Sequence, residues 1–185
     1  MPGALYFTDS DGANELIARD PLALLIGFAL DQQVSVQKAF VGPLVLRERI
    51  GTLDAATIAS MDPERLEDAC RQRPAIHRFP GAMARRVQDL CAVVAEEYGG
   101  DAERVWAEAI DAADLRRRIA ALPGFGKMKV TALGSVLALR FGVESASELV
   151  PSYPTLGGVD SPEALADYQA KKRAHKASLR AAQTA

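Results

Sequence analysis

Cysteine is scarce: Cys70 and Cys91 are the two in 185 residues. Two thiols cannot make a disulfide framework, nor a four-cysteine zinc or iron–sulfur site from this chain alone. In a reducing compartment they read as small buried residues. The longest apolar run, Leu22 to Leu30, falls far short of the roughly 20 residues that a membrane-spanning helix needs. The N-terminus, MPGALYFTDSDG, lacks the basic region and apolar core of a signal peptide, so a soluble cytoplasmic protein is expected. No segment alternates apolar and polar residues for long, which argues against a β-sheet. Excess charge is missing too. The 22 Lys and Arg nearly balance 24 Asp and Glu, and a net charge of −2 speaks at first sight against a nucleic-acid partner.

What is present is helical punctuation. Asp20-Pro21 opens an apolar helix running to about Asp31. Ser35 can cap the next, which Gly42-Pro43 should kink or divide before Gly51. Asp62-Pro63-Glu64 is an N-cap followed by Pro at the first helical position. Pro80 starts a longer helix through Tyr98, with Met83, Val87, Leu90, Cys91 and Val94 on one stripe and Gly99-Gly100 ending it. Trp106, Ala109 and Ile110 mark another helix, Asp111 or Asp114 starts the next, and Ser161-Pro162-Glu163 opens the last. The spacing predicts an all-α protein of about nine or ten short helices.

The balanced charge hides segregation. Arg71–Arg86, Leu115–Val143 and the chain after Asp167 contain no acid, yet hold 16 of the 22 basic residues. Such stretches can form a basic face on an acidic protein, because steering depends on the local field; they can also be ordinary solvated helix faces.

The sharpest motif lies inside the longest acid-free stretch. Leu122-Pro123-Gly124-Phe125-Gly126 separates a helix ending near Ala121 from one starting at Lys127. Pro fixes one turn residue, and the glycines permit positive φ and close backbone approach. The first amides of the following helix attract an anion, and Lys127 and Lys129 add charge there. Leu122, Phe125 and Val130 would clamp the two helices together. The pattern resembles the helix-hairpin-helix DNA-binding motif. That resemblance implies that Leu122, Gly124, Phe125, Gly126, Lys127 and Lys129 form a site for a DNA phosphate, with a monovalent cation able to share the hairpin backbone. A Gly-rich turn without a ligand is the plainer alternative.

Two further segments extend the likeness. Leu25-Ile26-Gly27-Phe28-Ala29-Leu30-Asp31-Gln32-Gln33-Val34-Ser35 is similar to the Gln-Gln-aliphatic-Ser signature of helix-hairpin-helix DNA glycosylases. His77-Arg78-Phe79-Pro80-Gly81-Ala82-Met83-Ala84-Arg85-Arg86-Val87 is similar to the loop and helix that this family packs against DNA. The resemblance covers roughly residues 21–142. It is nearest to the 3-methyladenine glycosylase II and endonuclease III-like branch without an iron–sulfur cluster, and there to an actinobacterial subfamily. It implies a two-lobed helical bundle. Residues 20–142 would carry the hairpin, at about 112–142, and 1–19 with 143–185 would form a second lobe ending in a basic helix.

A glycosylase must flip a base out of the stack and fill the gap. The resemblance makes Gln32 and Gln33 base-contact or wedge candidates, with His77 and Phe79 as further wedges and Arg78, Arg85 and Arg86 as a basic face. Read as plain residues, Gln33 can be a helix C-terminal cap, Phe79 a core residue and His77 a partly buried polar group. Trp106 can line a base pocket or the core.

The chain departs from the family at its chemistry. Lyase members carry a Lys where this chain has Met128, and neighbouring helical residues point about 100° apart, so no Schiff-base lyase activity is expected. The family's Asp, which stabilises an oxocarbenium-like transition state, has Asp160 as its nearest analogue, with Glu144 and Glu148 as alternatives. Asp160 can equally be a helix N-cap. The resemblance thus implies a monomeric, monofunctional DNA N-glycosylase that acts on double-stranded DNA in base-excision repair, associated with the nucleoid. It would have no metal bound by side chains and no other cofactor. The alternatives are a non-catalytic DNA-binding protein that has lost the acid, and a helical protein-interaction module.

Overall fold

The computed structural model describes residues 1–184, and among them the chain is all α-helical with no strand. Ten α-helices are present: α1 (Asp11–Arg19), α2 (Pro21–Leu30), α3 (Val36–Ile50), α4 (Ala55–Ala59), α5 (Pro63–Arg71), α6 (Pro80–Tyr98), α7 (Arg104–Ala107), α8 (Ala112–Ala120), α9 (Lys127–Phe141) and α10 (Pro162–Thr184). Two 3₁₀ segments, Glu144–Leu149 and Leu156–Gly158, lie between α9 and α10.

The caps behave as their residue types require. The Asp20 carboxylate accepts from the Leu22 and Ala23 amides at 2.9 and 3.1 Å, satisfying donors that the first turn of α2 leaves open. Ser35 does the same for Lys38 at 3.2 Å, and Asp62 for Glu64 at 3.0 Å. The last helix is capped by Ser161, whose Oγ accepts from Ala164 at 3.2 Å, and not by Asp160.

Helix α2 is the centre of the molecule. Every residue from Leu22 to Leu30 is buried, with α1, α3 and α6 around it. Each large side chain so buried contributes roughly 1.5–3 kcal/mol relative to exposure. Phe40 anchors α3 here, edge-on to both Phe7 and Phe28 at 5.0 Å between ring centres. The core is one continuous cluster from Leu5 to Tyr168 and includes both cysteines. Burial pushes the Cys70 thiol up to about 11 and that of Cys91 to about 12, so both are inert thiols.

Helix α3 excludes one of the two outcomes expected at Gly42-Pro43. Gly42-Pro43 does not divide it; Val36–Ile50 is continuous with Pro43 inside. Tertiary packing wins over the missing amide. A Cβ on Gly42 would stand 2.5 Å from Leu30 Cδ1 and 3.3 Å from Ile76 Cγ2, so the glycine lets α3 lie directly on the core. Helices α1 and α4 were not foreseen as separate elements. Their signals are Ser10, which caps α1 through Ala13 at 3.3 Å, and Asp54, which caps α4 through Thr57 at 2.8 Å.

Helices α8 and α9 form the expected helix–turn–helix pair. Asp111 starts α8 by accepting from Asp114 at 2.8 Å. Gly124 takes φ +83°, the left-handed region that favours glycine, whereas Gly126 is an extended N-cap. Leu122, Phe125 and Val130 are buried between the helices, and both 3₁₀ segments pack on α9. No helix among the described residues is long and apolar enough to cross a membrane.

Candidate nucleic-acid interface

The turn between α8 and α9 stands at one edge of an open cleft of about 870 Å³. The end of α2, the α9 face, the loop Tyr153–Leu156 and the root of α10 complete the walls. Three segments distant in sequence converge here. Arg86 on α6 donates to the Gln32 side-chain oxygen just beyond α2. The same Arg86 side chain lies against the hairpin, where a Cβ on Gly124 would be 2.5 Å from Arg86 Cδ. One arginine therefore ties the Gln-Gln segment, the basic stretch and the hairpin together.

The hairpin edge can hold an anion. Gly126 supplies no side-chain cap, so the first amides of α9 remain available, and Lys127 is exposed beside them. Leu122 and Phe125 are core side chains, at 2% and 5% exposure, and offer only their backbones. The hairpin has no polar side chain for a monovalent cation, whose donors would be its carbonyls.

Gln33 is exposed and adopts φ +56°, the one non-glycine residue with positive φ among the described residues. A glutamine pays roughly 1–2 kcal/mol for this conformation, and such strain collects where surrounding structure and function demand it. His77 explains part of the demand. Its Nδ1 accepts from the Phe79 amide at 3.0 Å, which leaves Nε2–H to donate to the Gln32 carbonyl at 2.8 Å. The ring is 1% exposed, so His77 latches the Gln-Gln loop and cannot act as a wedge. Burial holds its pKa below the usual histidine range. Phe79 remains 44% exposed with the Arg78 guanidinium 4.9 Å from its ring centre, so it is not a core residue.

The basic-face residues divide. Arg86 faces the cleft. Arg85 turns towards Glu67 at 3.8 Å, and Arg78 stays with Phe79. Lys129 sits in the first turn of α9, yet its amine crosses the cleft to the Ala29 carbonyl at 3.2 Å.

None of the expected carboxylates lies in this cleft. Asp160 borders a separate depression with Leu139 and Arg140, near the far end of α9. Twelve helical residues separate Lys127 from Leu139, roughly 18 Å at 1.5 Å per residue. Glu144 and Glu148 are exposed around a second depression with Trp106, a core residue at 5% exposure, and Glu148 also borders a third depression that adjoins the hairpin through Lys127 and Tyr153. The carboxylate that does line the cleft is Asp31, at the end of α2. Burial pushes its carboxyl up, against the opposing pull of Lys172 and Lys129. Tyr168 and Lys172, from α10, face the same space. The sequence places them only on a basic last helix; that this helix packs on the body through Leu165 and Tyr168, its two buried residues, is what brings them to the cleft.

No family model, curated protein or solved structure matches this chain.

Proposed function

We propose that the chain binds double-stranded DNA through its α8–α9 hairpin and releases a damaged base, as a DNA N-glycosylase of base-excision repair associated with the nucleoid. The observation that carries this reading is the convergence of Gln32, Arg86 and Gly124 on one open cleft, with the free amides of α9 and Lys127 at its edge. A DNA phosphate at the hairpin would place the neighbouring sugar over the cleft. Gln33, exposed and held in a costly conformation on the same rim, suits the filling of the gap left by a flipped nucleotide. Cleavage of the glycosidic bond develops positive charge on the sugar, and Asp31 is the carboxylate within the cleft.

The test is incubation of the full chain with duplexes bearing alkylated, deaminated or oxidised bases, followed by hot alkali. Strand breaks at one lesion class are expected. Binding without release from any lesion would instead establish the second reading, a non-catalytic DNA-binding protein, which the remote position of Asp160 favours. DNA affinity that is absent or insensitive to salt would point to a protein-interaction module, because phosphate contacts release counterions.

A further inference from the structure

Helix α10 is longer than its packing requires. Its first half is fastened to the body. Leu165 and Tyr168 are buried, the Gln169 amide donates to the Gln37 side-chain oxygen on α3 at 3.0 Å, and the His175 ring stacks on Tyr153 with centres 5.4 Å apart. Beyond His175 every described residue is exposed, so residues 176–184 gain nothing from burial. This half of the helix carries charge of one sign. After Asp167 come Lys171, Lys172, Arg173, Lys176 and Arg180, and no acid. Asp167 pairs with Lys171 at 2.6 Å, and the other four make no ion pair among the described residues. Lys172 lines the hairpin cleft. Lys176 and Arg180 follow it at successive i+4 steps, which places side chains as neighbours along a helix. At 1.5 Å per residue the row covers about 12 Å. A row of unpaired cations therefore starts in the cleft wall and continues along a helix that packs on nothing.

We infer that the outer half of α10 is an arm for the DNA backbone, on which Lys172, Lys176 and Arg180 hold phosphates flanking the nucleotide at the cleft. The inference rests on the cleft being a DNA site. A net charge of −2 gives the protein little long-range attraction to a polyanion, so affinity must come from local contacts. One strand presents a phosphate about every 3.4 Å along the duplex axis, so a 12 Å row meets about three of them. Such contacts fix the position of the protein on the duplex and read no sequence, which suits an enzyme that must meet a damaged base in any context. A second acceptor for the arm is the depression rimmed by Glu103, Asp111, Glu144 and Glu148 on another copy of the chain. The place of Lys172 favours DNA, because it shares one cleft with Lys127 at the hairpin. An unpacked helical end frays when free, and phosphate contacts should hold it.

The experiment titrates the full chain with a duplex of about two turns over a range of salt, and maps the phosphates whose ethylation blocks binding. Lys176→Gln with Arg180→Gln should weaken binding about tenfold and lower the slope of log affinity against log salt by about 1.8, two phosphate contacts. The same double variant should lose a run of blocking phosphates at one end of the footprint and keep those lost in Lys127→Gln. Amide exchange at residues 176–184 should slow when duplex is added. Arg47→Gln with Arg65→Gln removes two exposed, unpaired charges outside the cleft and should change neither slope nor footprint. An arm variant with unchanged slope and footprint, or an equal loss in the control variant, overturns the arm and leaves the hairpin reading standing. So does a concentration-dependent dimer, seen by sedimentation, that the arm variant abolishes while duplex affinity stays the same. A chain that binds no duplex overturns the DNA reading and this inference with it.

Discussion

The two sides of the hairpin handle positive charge in opposite ways. On the outer side of α8, Asp114 pairs with Arg117 and, at 2.9 Å, with Arg118, which also reaches Glu108 at 3.8 Å. On the cleft side, Arg86, Lys127, Lys129 and Lys172 make no ion pair among the described residues. Along the chain, Arg116-Arg117-Arg118 is the densest cluster of positive charge near the hairpin. In space, two of the three are neutralised, and the sparser lysines are the ones available to a phosphate. The local field depends on which cations have been given a partner, and linear charge does not reveal that.

Disrupting the hairpin itself should separate the two sides most strongly. Gly124→Val puts a branched side chain at φ +83° and into Arg86, which should cost on the order of 2 kcal/mol of stability and abolish duplex binding. Thermal melting and a fluorescence titration measure the two effects. The outer side should respond in the converse way. Asp114→Asn should lower the melting temperature at neutral pH while leaving duplex affinity unchanged. The bond from the Ile110 amide, followed by those from Arg118, holds the Asp114 carboxyl below 3.8. Its stabilisation is therefore present above that value and fades as pH falls through the lower folded-state value. Melting temperatures across the acid range should accordingly fall less steeply in the variant than in the wild type.

A smaller effect sharpens the comparison. Lys127→Gln should weaken binding a few-fold and reduce the slope of log affinity against log salt by about 0.9, one phosphate contact, whereas Arg117→Gln should leave the slope unchanged. The least conspicuous change concerns the rim. Gln33→Gly relieves the positive φ, so stability should be no lower than in the wild type, or higher by up to about 1 kcal/mol, while base release declines. Lower stability with intact release would assign Gln33 a purely structural role.

Much of the fold was legible because its punctuation is local. Asp20-Pro21, Asp62-Pro63 and the interval from Pro80 to Gly99 each bound a helix where capping chemistry puts it. Continuity through Pro43 was not legible, because it depends on Leu30 and Ile76, which approach from other parts of the chain. The site divides in the same way. The hairpin, the Gln32-Gln33 segment and Arg86 could be picked out individually, since each carries a residue pattern. That Arg86 joins them is a tertiary fact. Asp31 escaped notice because a single acid after an apolar helix looks like a terminus, and its meaning comes from Lys129 and Lys172, distant in sequence. His77 carries no local mark of its role, because both of its ring nitrogens are taken by backbone partners, Gln32 and Phe79, one of them distant in sequence.

The claim that the hairpin cleft receives DNA is tested most directly by backbone amide chemical shifts recorded while a short duplex is added. The largest changes are expected at Gly124, Gly126, Lys127 and Met128, with a second group at Gln32 and Gln33, joined to the hairpin through Arg86. Changes gathered instead around Glu103, Ile110 and Glu144, or no change at the hairpin at saturating duplex, would contradict it.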